Sequence, residues 1–165
     1  MARVNWRDFE AAAPELAALA TERLEGTGLA LVGTLRADGS PRISPVEPYL
    51  VDGELMLGMM WQSRKALDLL RDPRVVVHSI ATSAAGDEGD VKLYGRAVVR
   101  DEPRSRQAYA AATLARIKWE PKGPYHLFAL DIASAGYVIF APQRYGLRWN
   151  AGGVCERFDI ADDEA

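Results

Sequence analysis

Leu55-Met56-Leu57-Gly58-Met59-Met60-Trp61-Gln62-Ser63-Arg64-Lys65 is the point where an unbroken apolar run gives way to a short amphipathic segment. The first six residues read as a buried strand. From Ala66 to Arg71 the spacing is helical, with Leu67 and Leu70 on one face and a stop at Asp72-Pro73. Ser63 is then a candidate N-cap whose hydroxyl oxygen accepts a bond from an early helix amide. The next amides are unpaired and lie at the positive end of the helix dipole. Arg64 adds a planar fork and Lys65 a point charge, so these groups converge as a phosphate site requires. The alternative is an ordinary capped helix with two solvated basic residues.

Upstream, Leu29 to Leu35 is a short, nearly continuous apolar run, which predicts a strand buried on both faces. Arg36-Ala37-Asp38-Gly39-Ser40 supplies a turn through its Asp-Gly pair. Arg42 to Val51 reads as a second strand, yet Pro45 and Pro48 sit inside it. Proline cannot donate to a ladder, so this strand is an edge, bulged, or open where something else approaches. Asp52-Gly53 turns the chain into a third strand, Glu54 to Trp61. Before all of these, Trp6 to Glu25 is helical, restarts at Pro14, and ends at Gly26 and Gly28.

Downstream, Arg74 to Ile80 is a strand and Ala81 to Asp90 a small polar surface loop. Val91 to Arg100 alternates, with Val91, Leu93, Ala97 and Val99 on one face. Pro103 to Ile117 reads as a helix. His126 to Ile132 and Gly136 to Phe140 read as two strands, and Tyr145 to Trp149 with Val154 to Ile160 as a closing pair. Six to eight strands joined mostly by tight turns are antiparallel neighbours. A sheet of that size in a small domain tends to close, because closure removes exposed edges. The expected fold is mainly β with helices, an α+β antiparallel barrel. It forms one domain over 1–165, with a helical segment at 1–28 and a barrel at 29–160 carrying two inserted helices.

At 165 residues the chain is long enough to bury a core without disulfides. Its net charge of -3 gives no general attraction to nucleic acid or anionic membrane. The sequence has no 18-residue apolar run and no signal-peptide block near Met1, and Cys155 is its one cysteine. The expected compartment is the cytoplasm. Cys155 is read as a packing residue rather than a nucleophile. No His, Cys, Asp and Glu spacing suits a metal, so none is expected. The acidic stretch Asp159 to Glu164 reads as a solvated end.

Taken in order, several segments resemble the pyridoxamine 5'-phosphate oxidase-like family of FMN-binding split barrels. They are Leu31 to Leu35, Asp38 to Val46, Ser63 to Ala66, Asp72 to Val77 and Val91 to Ala97, spanning about residues 27–100. The resemblance implies a homodimer of split barrels with a flavin at the subunit interface. By position, Ser44, Pro45 and Val46 line its ring, and Ser63, Arg64 and Lys65 hold its phosphate. Two departures stand out. Glu47 occupies a position that is basic in a true pyridoxamine phosphate oxidase. The tail Tyr145 to Gly153 also lacks the basic motif that holds that enzyme's substrate phosphate. The pattern is similar to the flavin- and deazaflavin-dependent oxidoreductase branch, whose members use FMN or coenzyme F420.

Other candidates carry two readings each. Arg42 meets an anionic cofactor group or is a solvated strand residue. Lys92 and Arg96 reach a cofactor held by the partner subunit or form a charged solvent face. Trp61 stacks on a ring or packs in an interface, and Trp149 with Tyr145 covers a ligand groove or packs in the core. His78 and His126 read as hydrogen-bonded structural histidines. No residue stands out as a catalytic acid or base. The expected activity is hydride transfer between bound FMN, or alternatively F420, and a small organic substrate. The rival is a non-catalytic flavin or tetrapyrrole carrier, and neither nucleic acid nor a membrane is an expected partner.

Overall fold

The computed structural model describes residues 3–161. It holds four helices, α1 (Trp6–Ala12), α2 (Pro14–Thr27), α3 (Arg64–Arg71) and α4 (Pro103–Ile117). Nine strands accompany them: β1 (Ala30–Leu35), β2 (Pro41–Val46), β3 (Pro48–Val51), β4 (Glu54–Met60), β5 (Arg74–Ser79), β6 (Asp90–Val99), β7 (Tyr125–Ile139), β8 (Tyr145–Asn150) and β9 (Glu156–Asp159). All pair antiparallel in one sheet of order β2-β1-β5-β6-β7-β4-β3, with β8 added to β7 and β9 to β8. No helix among the described residues is long and apolar enough to cross a membrane. The acidic stretch runs out of the described residues after Ala161.

The sheet does not close, which corrects the expectation of a complete barrel. The span 42–51, read as one strand, divides at Glu47, and its halves lie at opposite edges of the sheet. The prolines explain why: Pro41 and Pro45 sit on edge strand β2 and Pro48 opens edge strand β3, where a missing donor breaks no ladder. The two margins therefore meet at a corner of the chain rather than through hydrogen bonds. Helix α3 packs on β1 and β4, strands from either side of this split.

Helices α1 and α2 cover one face of the sheet. Asn5 caps α1, its side chain accepting from Asp8 N–H at 2.9 Å. Gly28, at φ 67°, ends α2 in the left-handed conformation. Their Phe9, Leu16 and Leu24 join Leu57, Leu93 and Leu130 of the sheet in the main core.

Four further details depart from the sequence reading. Strand β1 alternates, burying Ala30, Val32 and Thr34 while Leu31 reaches the surface, so it is covered on one face only. Helix α3 buries Ala66 and Leu69, leaving Leu70 exposed, because Asp68 turns inward and fixes the other face on the sheet. The two strands at 126–132 and 136–140 are one, β7, long enough to pair with β6, β4 and β8. A register shift at Tyr94/Gly95 breaks the alternation of β6, so Val99 is exposed.

Candidate functional site

The β4–α3 junction forms a tight turn. Ser63 N–H donates to Met60 carbonyl at 3.1 Å, and Gln62 has φ 57°. Positive φ at the third position of a four-residue turn is the type II pattern, normally given to glycine. Trp61 projects from the turn, about half exposed, and stacks on His126 at 4.5 Å with 10° between planes. Ser63 occupies the cap position with extended dihedrals, but its side chain caps nothing, which corrects the expected N-cap bond. Its Oγ is buried and has no hydrogen-bond partner among the described residues. A buried hydroxyl left unsatisfied is costly unless a ligand or water serves it.

Arg64 opens α3, exposed, and none of its nitrogens forms a hydrogen bond or ion pair among the described residues. Lys65 is half-buried, and its Nζ lies 3.4 Å from Pro45 carbonyl oxygen, so the helix start is tied to edge strand β2. Arg42 is neither free nor merely solvated. Its Nε donates to Asp68 at 2.6 Å, while its two terminal nitrogens stay uncommitted among the described residues. Asp68 also accepts from Thr34 Oγ1 at 3.0 Å and pairs with Arg71 at 3.3 Å. Burial pushes the Asp68 carboxyl up. The bonds from Arg42 and Thr34 and the Arg42 charge outweigh it and hold the carboxyl below the usual carboxylate range. A cavity of about 390 Å³ lies here, lined by Arg36, Arg42, Arg64 and Arg71 with Asp38 and Asp68.

A second cavity, of about 420 Å³, opens on the other side of the same turn. Met60, Trp61, Tyr109, Trp119 and Tyr125 give it an aromatic and thioether lining, with Glu47 and Lys122 as its charged residues. Gly58 makes room for Tyr109, whose hydroxyl would collide with a Cβ at that position. The stretch Trp61–Arg64 joins the two chambers, since Trp61 lines the apolar one and Arg64 the basic one.

The remaining sequence candidates divide. Ser44 and Val46 share one side of β2, but Pro45 points to the other, because side chains alternate along a strand. The three therefore do not present one surface to a ring by their side chains. Lys92 lies three strands from β2, roughly 14 Å at strand spacing, and is engaged by Asp90. Trp149 is corrected to a core residue. It is 2% exposed, its ring is 5.2 Å from that of Phe9, and its Nε1 donates to Gly153 carbonyl at 3.2 Å. Burial, and then the charges of Glu15 and Glu156, push the Cys155 thiol up, which keeps it protonated and poorly nucleophilic. Sequence reasoning missed Asp68, which resembles any helix carboxylate, and the cavity wall at Tyr109 and Trp119.

Comparison with known proteins decides the lineage. The family model described as pyridoxamine 5'-phosphate oxidase matches residues 16–139. The chain belongs to the pyridoxamine 5'-phosphate oxidase family. No curated protein matches the sequence. Among solved structures, PhzG from Burkholderia lata, in complex with tetrahydrophenazine-1-carboxylic acid, superposes with TM-score 0.61 at 15% identity, over 90% of this chain and 92% of that one. General stress protein 26 from Bacillus anthracis gives TM-score 0.59 at 21% identity, over 73% and 91%. A haem-binding protein from Mycobacterium smegmatis gives 0.60 at 19% identity, and this chain, matched over 86% of its own length, spans 57% of that one. At these identities the likeness is one of fold, and it bears out the split-barrel expectation.

Proposed function

We propose that this member of the pyridoxamine 5'-phosphate oxidase family is an oxidoreductase that binds FMN, or coenzyme F420 in its place, and transfers hydride to or from a small organic substrate. One observation carries the reading: a basic chamber holding the Arg64 guanidinium, unpaired among the described residues, adjoins an apolar aromatic chamber across a single turn that also carries the unserved, buried Ser63 hydroxyl. Arg64, Lys65, the free end of Arg42 and Ser63 Oγ fit a phosphate ester. The aromatic chamber suits the substrate and the edge of a planar ring. When bound, the ring accepts or donates the hydride. The protein positions both reactants and needs no side-chain acid or base for that step.

Oxidation of a vitamin B6 phosphate fits less well. Glu47 and a single Lys122 carry the charge of the aromatic chamber, and Arg148 in the C-terminal region is paired with Glu156 at 2.7 Å. Haem also finds little here. His78 Nδ1 bonds Ser79 carbonyl, with its Nε2 3.7 Å from Asp90, and His126 Nε2 accepts from Gln62 N–H at 3.2 Å.

Absorbance spectra of the protein incubated with FMN and F420 in turn test the assignment. Binding of neither would leave the carrier reading or a cofactor-free module. Lys65→Ala is expected to weaken binding of the coenzyme by about 1.5–3 kcal/mol, the worth of a hydrogen bond to a charged group. An unchanged titration curve would count against the cradle. The proposed assembly is a homodimer. The outer face of β2, β1, β5 and β6 exposes Leu31, Ile43 (70%) and Tyr94 beside half-buried Val76, an apolar face that a second copy could cover. Sizing should return a particle of twice the 18.1 kDa chain, and a monomer at every concentration would refute it.

A further inference from the structure

We infer that His126 is a positioning residue, holding the cradle turn in its left-handed conformation through the lone pair on Nε2. Gln62 N–H lies 3.2 Å from that nitrogen. A backbone amide only donates, so Nε2 is the acceptor and the neutral ring carries its proton on Nδ1. Gln62 at φ 57° adopts a backbone region that non-glycine residues rarely enter, and such conformations persist where their surroundings impose them.

Two contacts impose this one. The first is the His126 acceptor on Gln62. The second is a ladder of rings. Phe128 is buried in the core, His126 follows at 6.3 Å between centroids, and Trp61 stacks on His126 at 4.5 Å. Residues 126 and 128 share a face of β7, and His126 stands opposite Met59 of β4, one residue before the turn. The ladder runs from core to surface and ends on the residue that lines the aromatic chamber. Ser63 and Arg64 follow directly, so a slack turn shifts the Ser63 hydroxyl and displaces Arg64 from the basic chamber. His126 touches neither chamber's ligand in this scheme and acts through the turn.

The consequence for coenzyme binding rests on the proposed function, while the consequence for the turn does not, and the test separates them. In the wild-type protein, ¹⁵N spectra of the imidazole should show the Nδ1–H tautomer. A proton on Nε2 would overturn the assignment without any variant being made. His126→Phe keeps a stacking ring and removes the acceptor. Gln62 amide exchange should then speed up roughly five- to tenfold, the worth of one hydrogen bond. Affinity for FMN or F420, whichever the wild type takes up, should fall by a similar factor. His126→Gln restores an acceptor and should recover most of both effects. Exchange at Gln62 that is unchanged in His126→Phe sinks the inference. A wild-type protein that binds neither coenzyme sinks the functional reading alone, and the tautomer and the exchange rate still decide the role of His126.

Discussion

Asp68→Ala lowers the stability of the folded chain by about 3–5 kcal/mol, the usual cost of removing one partner from a buried ion pair. The carboxylate is 6% exposed and serves Thr34, Arg42 and Arg71 together. Without it, the Thr34 hydroxyl loses its acceptor inside the core and Arg42 keeps a half-buried charge with no counterion. For a chain of this size that amounts to a fall of roughly 10–15 °C in Tm, measurable by calorimetry. The acid limb of the stability curve should change as well. The folded-state pKa of Asp68 is depressed, so its contribution is complete above the unfolded carboxylate value of about 4. It is lost as pH falls through the lower folded value. Asp68→Asn should therefore flatten the acid limb. Loss of stability below pH 4 that matches the wild type would show that this carboxylate is not the group concerned.

Trp149→Ala is expected to cost about 3–5 kcal/mol, as for other large aromatic residues cut out of a core. It should leave the affinity for coenzyme unchanged while the protein remains folded. The ring lies against Phe9 of α1, and its indole nitrogen closes the turn at Gly153. Denaturant titration measures the first effect and ligand titration the second. Weakened coenzyme binding with no change in stability would restore Trp149 to the groove.

These two residues mark how far the sequence could be read. The break at Pro14, the hairpin turns at Gly39 and Gly53, and helix α4 from Pro103 to Ile117 were legible, because caps, turn residues and prolines act within a few positions of themselves. The start of α3 after Ser63 was legible for the same reason, its signals being consecutive. Asp68 was not, because its value comes from Thr34 and Arg42, 34 and 26 residues away. Trp149 could be read as a groove cover because its neighbours Gly146, Gly152 and Gly153 suggest a loop, whereas its burial is set by α1 at the far end of the chain. His126 met Gln62 across 64 residues and looked like any strand histidine. The expected closed barrel failed on a global property, since no local signal says whether two edges will zip together.

The unzipped edge has a further effect. Amide and carbonyl of one residue point the same way in an antiparallel strand. Pro45 carbonyl oxygen reaches Lys65, so residues 41, 43 and 45 of β2 turn their main-chain groups away from β1. Two of those three are prolines, which leaves Ile43 as the lone amide donor along that margin. A second molecule's strand would find one donor there, too few for a regular ladder. The seam can thus stay accessible to a ligand without seeding fibrils or aggregates.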